Sequence, residues 1–153
     1  GRHDAFSTPA RVRQIMSRIV LVAVDGSPAS EAAVEFVARE WPSTTVVLLH
    51  VVDPSRVGYR AVATTAETWY QQERDRAEQL LEEAEEPFPE TTAVEHLVEV
   101  GRPAATIVDV AQREGVDHVV LGSHGRAGMS RVLLGSVAES VVRRSPAPVT
   151  VAR

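Results

Sequence analysis

Residues 119–140, VVLGSHGRAGMSRVLLGSVAES, hold the residue types best suited to chemistry in this chain. An apolar run ends in Gly122 and Ser123, and Gly125 follows two residues after Gly122. Nine residues later Gly135 and Ser136 open an apolar helical pattern. Glycine lets backbone N–H groups approach a ligand with no side chain between, and consecutive amides in such a turn make an anion-binding concavity. A helix start adds free N–H groups and the positive end of the dipole. One such interaction contributes only about 0.3–1 kcal/mol when exposed, so several must converge. Two anion sites at this separation suit a ligand with linked phosphates. His124, Arg126 and Arg131 lie between them.

Composition removes several alternatives. All sixteen Lys+Arg residues are arginine, which excludes a lysine-dependent P-loop and Schiff-base chemistry on a side chain. Cysteine is absent, so disulfides, thiolate catalysis and thiolate zinc sites are excluded. The net charge of -5 argues against non-specific nucleic-acid binding. No apolar run approaches the ~20 residues of a membrane span. The first residues carry no apolar signal-peptide core. Residues 1–16 are expected to be a disordered arm or an expression remnant, and 17–153 a single domain.

The elements that must position the glycines alternate. Apolar runs at 18–24, 44–52, 92–100, 117–122 and 147–152 read as strands, the first continuous enough to be buried on both faces. Helical patterns follow at 27–40, roughly 65–86, from 103, and at 135–144. Ser27 and Pro28 suit the cap and first position of the first helix, whose inner face is expected at Ala32, Ala33, Phe36 and Val37. Trp69, Ala77, Leu80, Leu81 and Ala84 line the second helix, and Ala104, Ile107, Val108 and Ala111 the third. The 92–100 run alternates and the 147–152 run begins between Pro146 and Pro148, so both suit sheet edges. This is an α/β fold: an open, twisted, parallel five-stranded sheet with helices on both faces. Ligands of such sheets sit beyond the carboxyl ends of the strands, where Asp25, Asp53 and Gly122 fall.

The glycine spacing is G-x2-G-x9-G-[ST], and it resembles the ATP-binding signature of the universal stress protein family. The resemblance covers 17–153 and includes VDGS after the first strand, LLHVVD in the second, VGRPAATIVDVA at the third helix and SPAPVTVA at the end. It implies strand order 3-2-1-4-5, as in adenine nucleotide alpha hydrolase-like folds. It further implies that Ala23, Val24 and Val51 lie by an adenine and that Asp25 meets the ribose or phosphate side. Gly122, Gly125, Gly135, Ser136 and Val137 would hold ribose and phosphates, with Ser123, His124 and Arg126 in the connecting loop. The implied cofactor is ATP, with AMP or ADP as alternatives and Mg²⁺ or Mn²⁺ on the phosphates. A homodimer through 147–152 is implied too.

Each residue also has a plainer role. Asp25 braces a turn in an Asp-Gly pair or touches the ligand. Ser136 is a helix cap, a ligand contact, or both. His124, Arg126 and Arg131 position or face solvent rather than catalyse, since no acid-base partner is set beside them. His50 is expected as a satisfied core histidine, and His96 and His118 as strand-surface residues. No histidine spacing suits zinc. Asp53 starts a turn or approaches a metal with Asp25. Trp69 and Tyr70 are expected to pack the long helix or a dimer contact, not to stack on a ligand. The 53–68 connection is long enough to be a lid, with Arg56 and Arg60 on phosphates or in solvent. Gly122→Val is expected to block the ligand and spare the fold. The reading is a cytoplasmic, nucleotide-dependent stress or signalling module with slow or no hydrolysis, binding neither nucleic acid nor membrane. The alternatives are a slow ATPase or nucleotidyl-transfer enzyme on the same site, and a structural dimer that binds no nucleotide.

Overall fold

Successive side chains of the central strands enter two different cores, which is why those strands read as unbroken apolar runs. The computed structural model describes residues 18–56, 65–124 and 134–153. Strands β1 (Ile19–Ala23), β2 (Thr45–Val52), β3 (Ala93–Val100), β4 (His118–Gly122) and β5 (Val149–Ala152) form one sheet. Its order is β3-β2-β1-β4-β5, all parallel, as expected. Helices α1 (Pro28–Glu40), α2 (Ala66–Glu85), α3 (Pro103–Arg113) and α4 (Ser136–Arg144) connect the strands, and a single 3-10 turn, Pro54–Arg56, follows β2. Every predicted boundary lies within two residues of the observed one; the end of α3 at Arg113 and the 3-10 turn have no counterpart in the sequence pattern.

Val20, Val22, Val46, Leu48 and Val120 pack with Ala33, Val34, Val37 of α1 and Leu81 of α2. Leu21, Val47, Leu49, Val119 and Leu121 pack on the other face with Ile107, Val110 and Ala111 of α3 and Ala138 and Val141 of α4. Register holds Val22 opposite Leu48 and Val120, so like-facing residues stack across strands. The inner stripe of α1 is Ser30, Ala33, Val34 and Val37, one step round from the predicted face. Ser30 is buried because its hydroxyl accepts from the Asp25 N–H at 3.1 Å, which meets the cost of burying a polar group. Val110 likewise joins the α3 stripe. β3 and β5 are the edges, as their alternation and prolines indicated.

His118 is not a plain strand-surface residue. It is half-buried, its Nε2 lies 2.7 Å from Thr150 Oγ1, and its ring packs on Trp41 with centroids 4.8 Å apart. His96 does stay at the surface, 2.6 Å from Glu85 Oε1. Burial, and then the Arg18 charge, hold the His118 pKa below the ordinary histidine value. As pH falls the unfolded chain therefore takes up this proton first, and folding is disfavoured. The contribution of His118 is complete above the unfolded value of about 6.5 and is lost below it. His118→Gln keeps a hydrogen-bonding side chain and removes the titration. In urea unfolding between pH 7.5 and 5, the wild type should lose more stability than His118→Gln; parallel curves would contradict this assignment.

Candidate functional site

Beyond the carboxyl ends of β1, β2 and β4 the chain leaves a cleft of about 470 Å³. Its floor is apolar where β1 and β2 end, at Ala23, Val24, Leu49 and Val51. One wall is the exit of β4, Gly122 to His124, with the start of α4 at Gly135, Ser136 and Val137. The opposite wall is one face of α2: Trp69, Gln72, Glu73 and Arg76, spaced at i, i+3, i+4 and i+7 as a helical stripe must be. Of the predicted residues, Ala23, Val24, Asp25, Val51, Gly122, Ser123, His124, Gly135, Ser136 and Val137 all border this cleft. Gly125 and Arg126 lie outside the described residues, as do Gly128, Arg131 and Arg60.

Local rules explain how each element arrives. Gly26 has φ 82°, a left-handed turn that glycine adopts without strain. Asp25 Oδ1 accepts from the Ser27 N–H at 2.9 Å, so one carboxylate oxygen braces that turn while the residue borders the cleft. Ser27 caps α1, its hydroxyl accepting from the Ser30 N–H at 3.1 Å. His50 Nδ1 lies 2.7 Å from the Val24 carbonyl; a carbonyl only accepts, so Nδ1 carries the proton. His50 is thus satisfied, as expected, and it also borders the cleft.

Asp53 is engaged in turn-making: its Oδ1 accepts from both the Ser55 N–H (2.9 Å) and the Ser55 hydroxyl (2.7 Å). The resulting 3-10 turn brings Arg56 to the cleft margin. Among the described residues no group of three or more His, Asp or Glu is placed to hold a metal ion. Three of the four described histidines show why: His50, His96 and His118 each face a different neighbour.

Ser123 ties this wall together. Its N–H donates to the Ala152 carbonyl at 2.7 Å, and its own carbonyl accepts from the Gly135 N–H at 2.7 Å. The exit of β4, the end of β5 and the start of α4 are thereby joined through one residue. Its buried hydroxyl lies 2.8 Å from His124 Nδ1. The cap of α4 is Gly135, not Ser136, and no side chain caps this helix. Its first-turn N–H groups are therefore not taken by a side-chain capping oxygen, and Ser136, Val137 and Ala138 of that turn border the cleft.

Trp69 does more than pack the long helix: it is 8% exposed and borders the cleft. Only its place in the i, i+3, i+4 stripe with Gln72 and Glu73 hinted at this. Gly122 is also not free of structural duty. A Cβ there would lie 2.6 Å from the Ala29 carbonyl carbon and 2.8 Å from its oxygen, backbone atoms that cannot swing aside. Gly122→Val therefore tests the fold before it tests a ligand. Even Gly122→Ala should lower the stability of the ligand-free chain by about 1–3 kcal/mol, the usual cost of overpacking; an unchanged urea midpoint would show that α1 moves away freely.

A family model described as the universal stress protein family matches residues 16–153. Universal stress protein MJ0577 of Methanocaldococcus jannaschii is 30% identical over 156 residues, 91% of this chain and 96% of that protein. The solved MJ0577 structure aligns with TM-score 0.78 over 90% of this chain and 96% of that one. A universal stress protein of Mycolicibacterium smegmatis is 34% identical over 88% of this chain, but only 45% of that relative is covered, so this chain spans about half its length. A universal stress protein from Archaeoglobus fulgidus in complex with dAMP shares the fold, at TM-score 0.62 and 24% identity over 90% of this chain and 98% of that one.

Proposed function

The chain belongs to the universal stress protein family, and from that premise we propose that its cleft binds an adenine nucleotide, ATP foremost. The observation that carries this reading is the uncapped start of α4 beside the Gly122–Ser123 turn, set across the cleft from an apolar floor. Amides and a helix dipole suit phosphate, while Ala23, Val24 and Val51 suit the flat, largely apolar faces of a base. A protein of this fold solved in complex with dAMP is consistent with that ligand class. Mg²⁺ or Mn²⁺ would ride on the phosphates and neutralise their charge, since the described residues hold no cluster of their own for it. Gly125 and Arg126 belong to this proposal by the family motif.

Turnover is slow or absent on this reading. Acceleration needs preorganised groups aimed at developing charge; of the imidazoles bordering the cleft, His50 is held through Nδ1 by the Val24 carbonyl and His124 Nδ1 lies 2.8 Å from the buried Ser123 hydroxyl, so both are engaged with the wall. The protein then acts as a nucleotide-dependent stress or signalling module. Cytoplasmic location and a homodimer through β5 complete the proposal. In support of the latter, β5 is an edge strand of half-buried residues, and such edges invite pairing. No helix among the described residues is long and apolar enough to cross a membrane.

Ser136→Asp separates ligand from fold. Ser136 is exposed at the first position of α4, where a carboxylate favours the helix by about 0.3–1 kcal/mol but opposes an incoming phosphate. Calorimetry should find ATP affinity reduced at least about tenfold, a change near 1.4 kcal/mol, with the melting temperature of the ligand-free chain unchanged or raised. Equal ATP affinity in the variant and the wild type would move the phosphate site away from α4.

A further inference from the structure

One polar group in the cleft wall has no hydrogen-bond partner among the described residues. Trp69 is 8% exposed, yet its indole N–H meets no hydrogen-bond acceptor among the described residues. Buried donors are almost always paired, and an exception calls for an explanation. Here the ring borders the cleft. Tyr70 packs against it edge to face, with centroids 4.8 Å apart, which restrains the ring from one side. Gln72 stands one turn along the same stripe and presents an amide to the same space.

Resting on the nucleotide reading above, we propose that Trp69 is a direct ligand contact, its indole N–H and ring edge meeting the heterocyclic base of the bound nucleotide. Topology supports the base end rather than the phosphate end. The amide wall belongs to β4 and α4, whose core lies on one face of the sheet. Helix α2 packs on the other face, against β2 and β3. With β1 between β2 and β4, and strands spaced about 4.8 Å apart, the exits of β2 and β4 are offset by roughly 10 Å. A ligand anchored by phosphate at α4 and lying over the apolar ends of β1 and β2 carries its base toward α2. Purine ring nitrogens are acceptors, so the base supplies the partner that the indole lacks. The wall thereby selects for a base-bearing ligand over a bare polyphosphate.

The two tryptophans make this testable. Trp41 lies at the far end of α1, packed between Phe36 and His118, and does not border the cleft. In a Trp41→Phe protein the emission of Trp69 should change on saturation with ATP and stay constant with inorganic triphosphate. Trp69→Phe keeps a ring and removes the N–H; calorimetry should show ATP affinity about three- to tenfold weaker with triphosphate affinity unchanged. ATP binding of equal strength in Trp69→Phe, with Trp69 emission unmoved, would overturn this contact and leave the nucleotide reading standing. A wild-type chain that binds no ATP in the same calorimeter would overturn both.

Discussion

The close approach of α1 to the end of β4 is the contact on which the site depends. Gly122 offers no Cβ, and the Ala29 backbone occupies the space a Cβ would fill. That seat lets the first turn of α1 lie directly over the β4 exit. The Asp25–Ser27–Ser30 hydrogen bonds then close the β1 turn, and the Ser27 hydroxyl comes within 3.4 Å of the His124 carbonyl. From the other side, Ser123 is held by β5 and holds Gly135. A cleft wall made mostly of backbone is held in place because packed backbone on both sides leaves it little slack.

This arrangement divides the labour between sheet and termini. The strands spend their side chains on two cores, with Leu21, Leu48 and Leu49 fully buried. Polar groups gather where strands end and helices begin, since a helix start leaves amides without an intrahelical partner. An anion site of amides needs no lysine, which fits a chain whose basic residues are all arginine.

Much of the fold was legible because burial on both faces leaves continuous apolar runs, and Pro146 and Pro148 marked an edge. The glycine spacing pointed to the β4–α4 wall for a local reason: motif and wall are nearly the same stretch of chain. What escaped was set by contacts between distant segments. Ser30 looks like a solvent-facing serine until the Asp25 N–H is placed beside it. Ser136 resembles a cap, yet Gly135 takes that position. The duty of Gly122 toward Ala29 and the turn of Trp69 toward the cleft both follow from how helices sit on the sheet, which periodicity does not specify.

The most direct test of the account is the chemical identity of whatever the native chain carries. Freshly purified protein would be denatured and any released small molecule identified by chromatography and mass spectrometry, then counted per chain. The account predicts an adenine nucleotide, largely intact ATP and approaching one per chain. Protein that releases none, and whose melting temperature does not respond to ATP with Mg²⁺, would contradict it and leave the cleft without its proposed ligand.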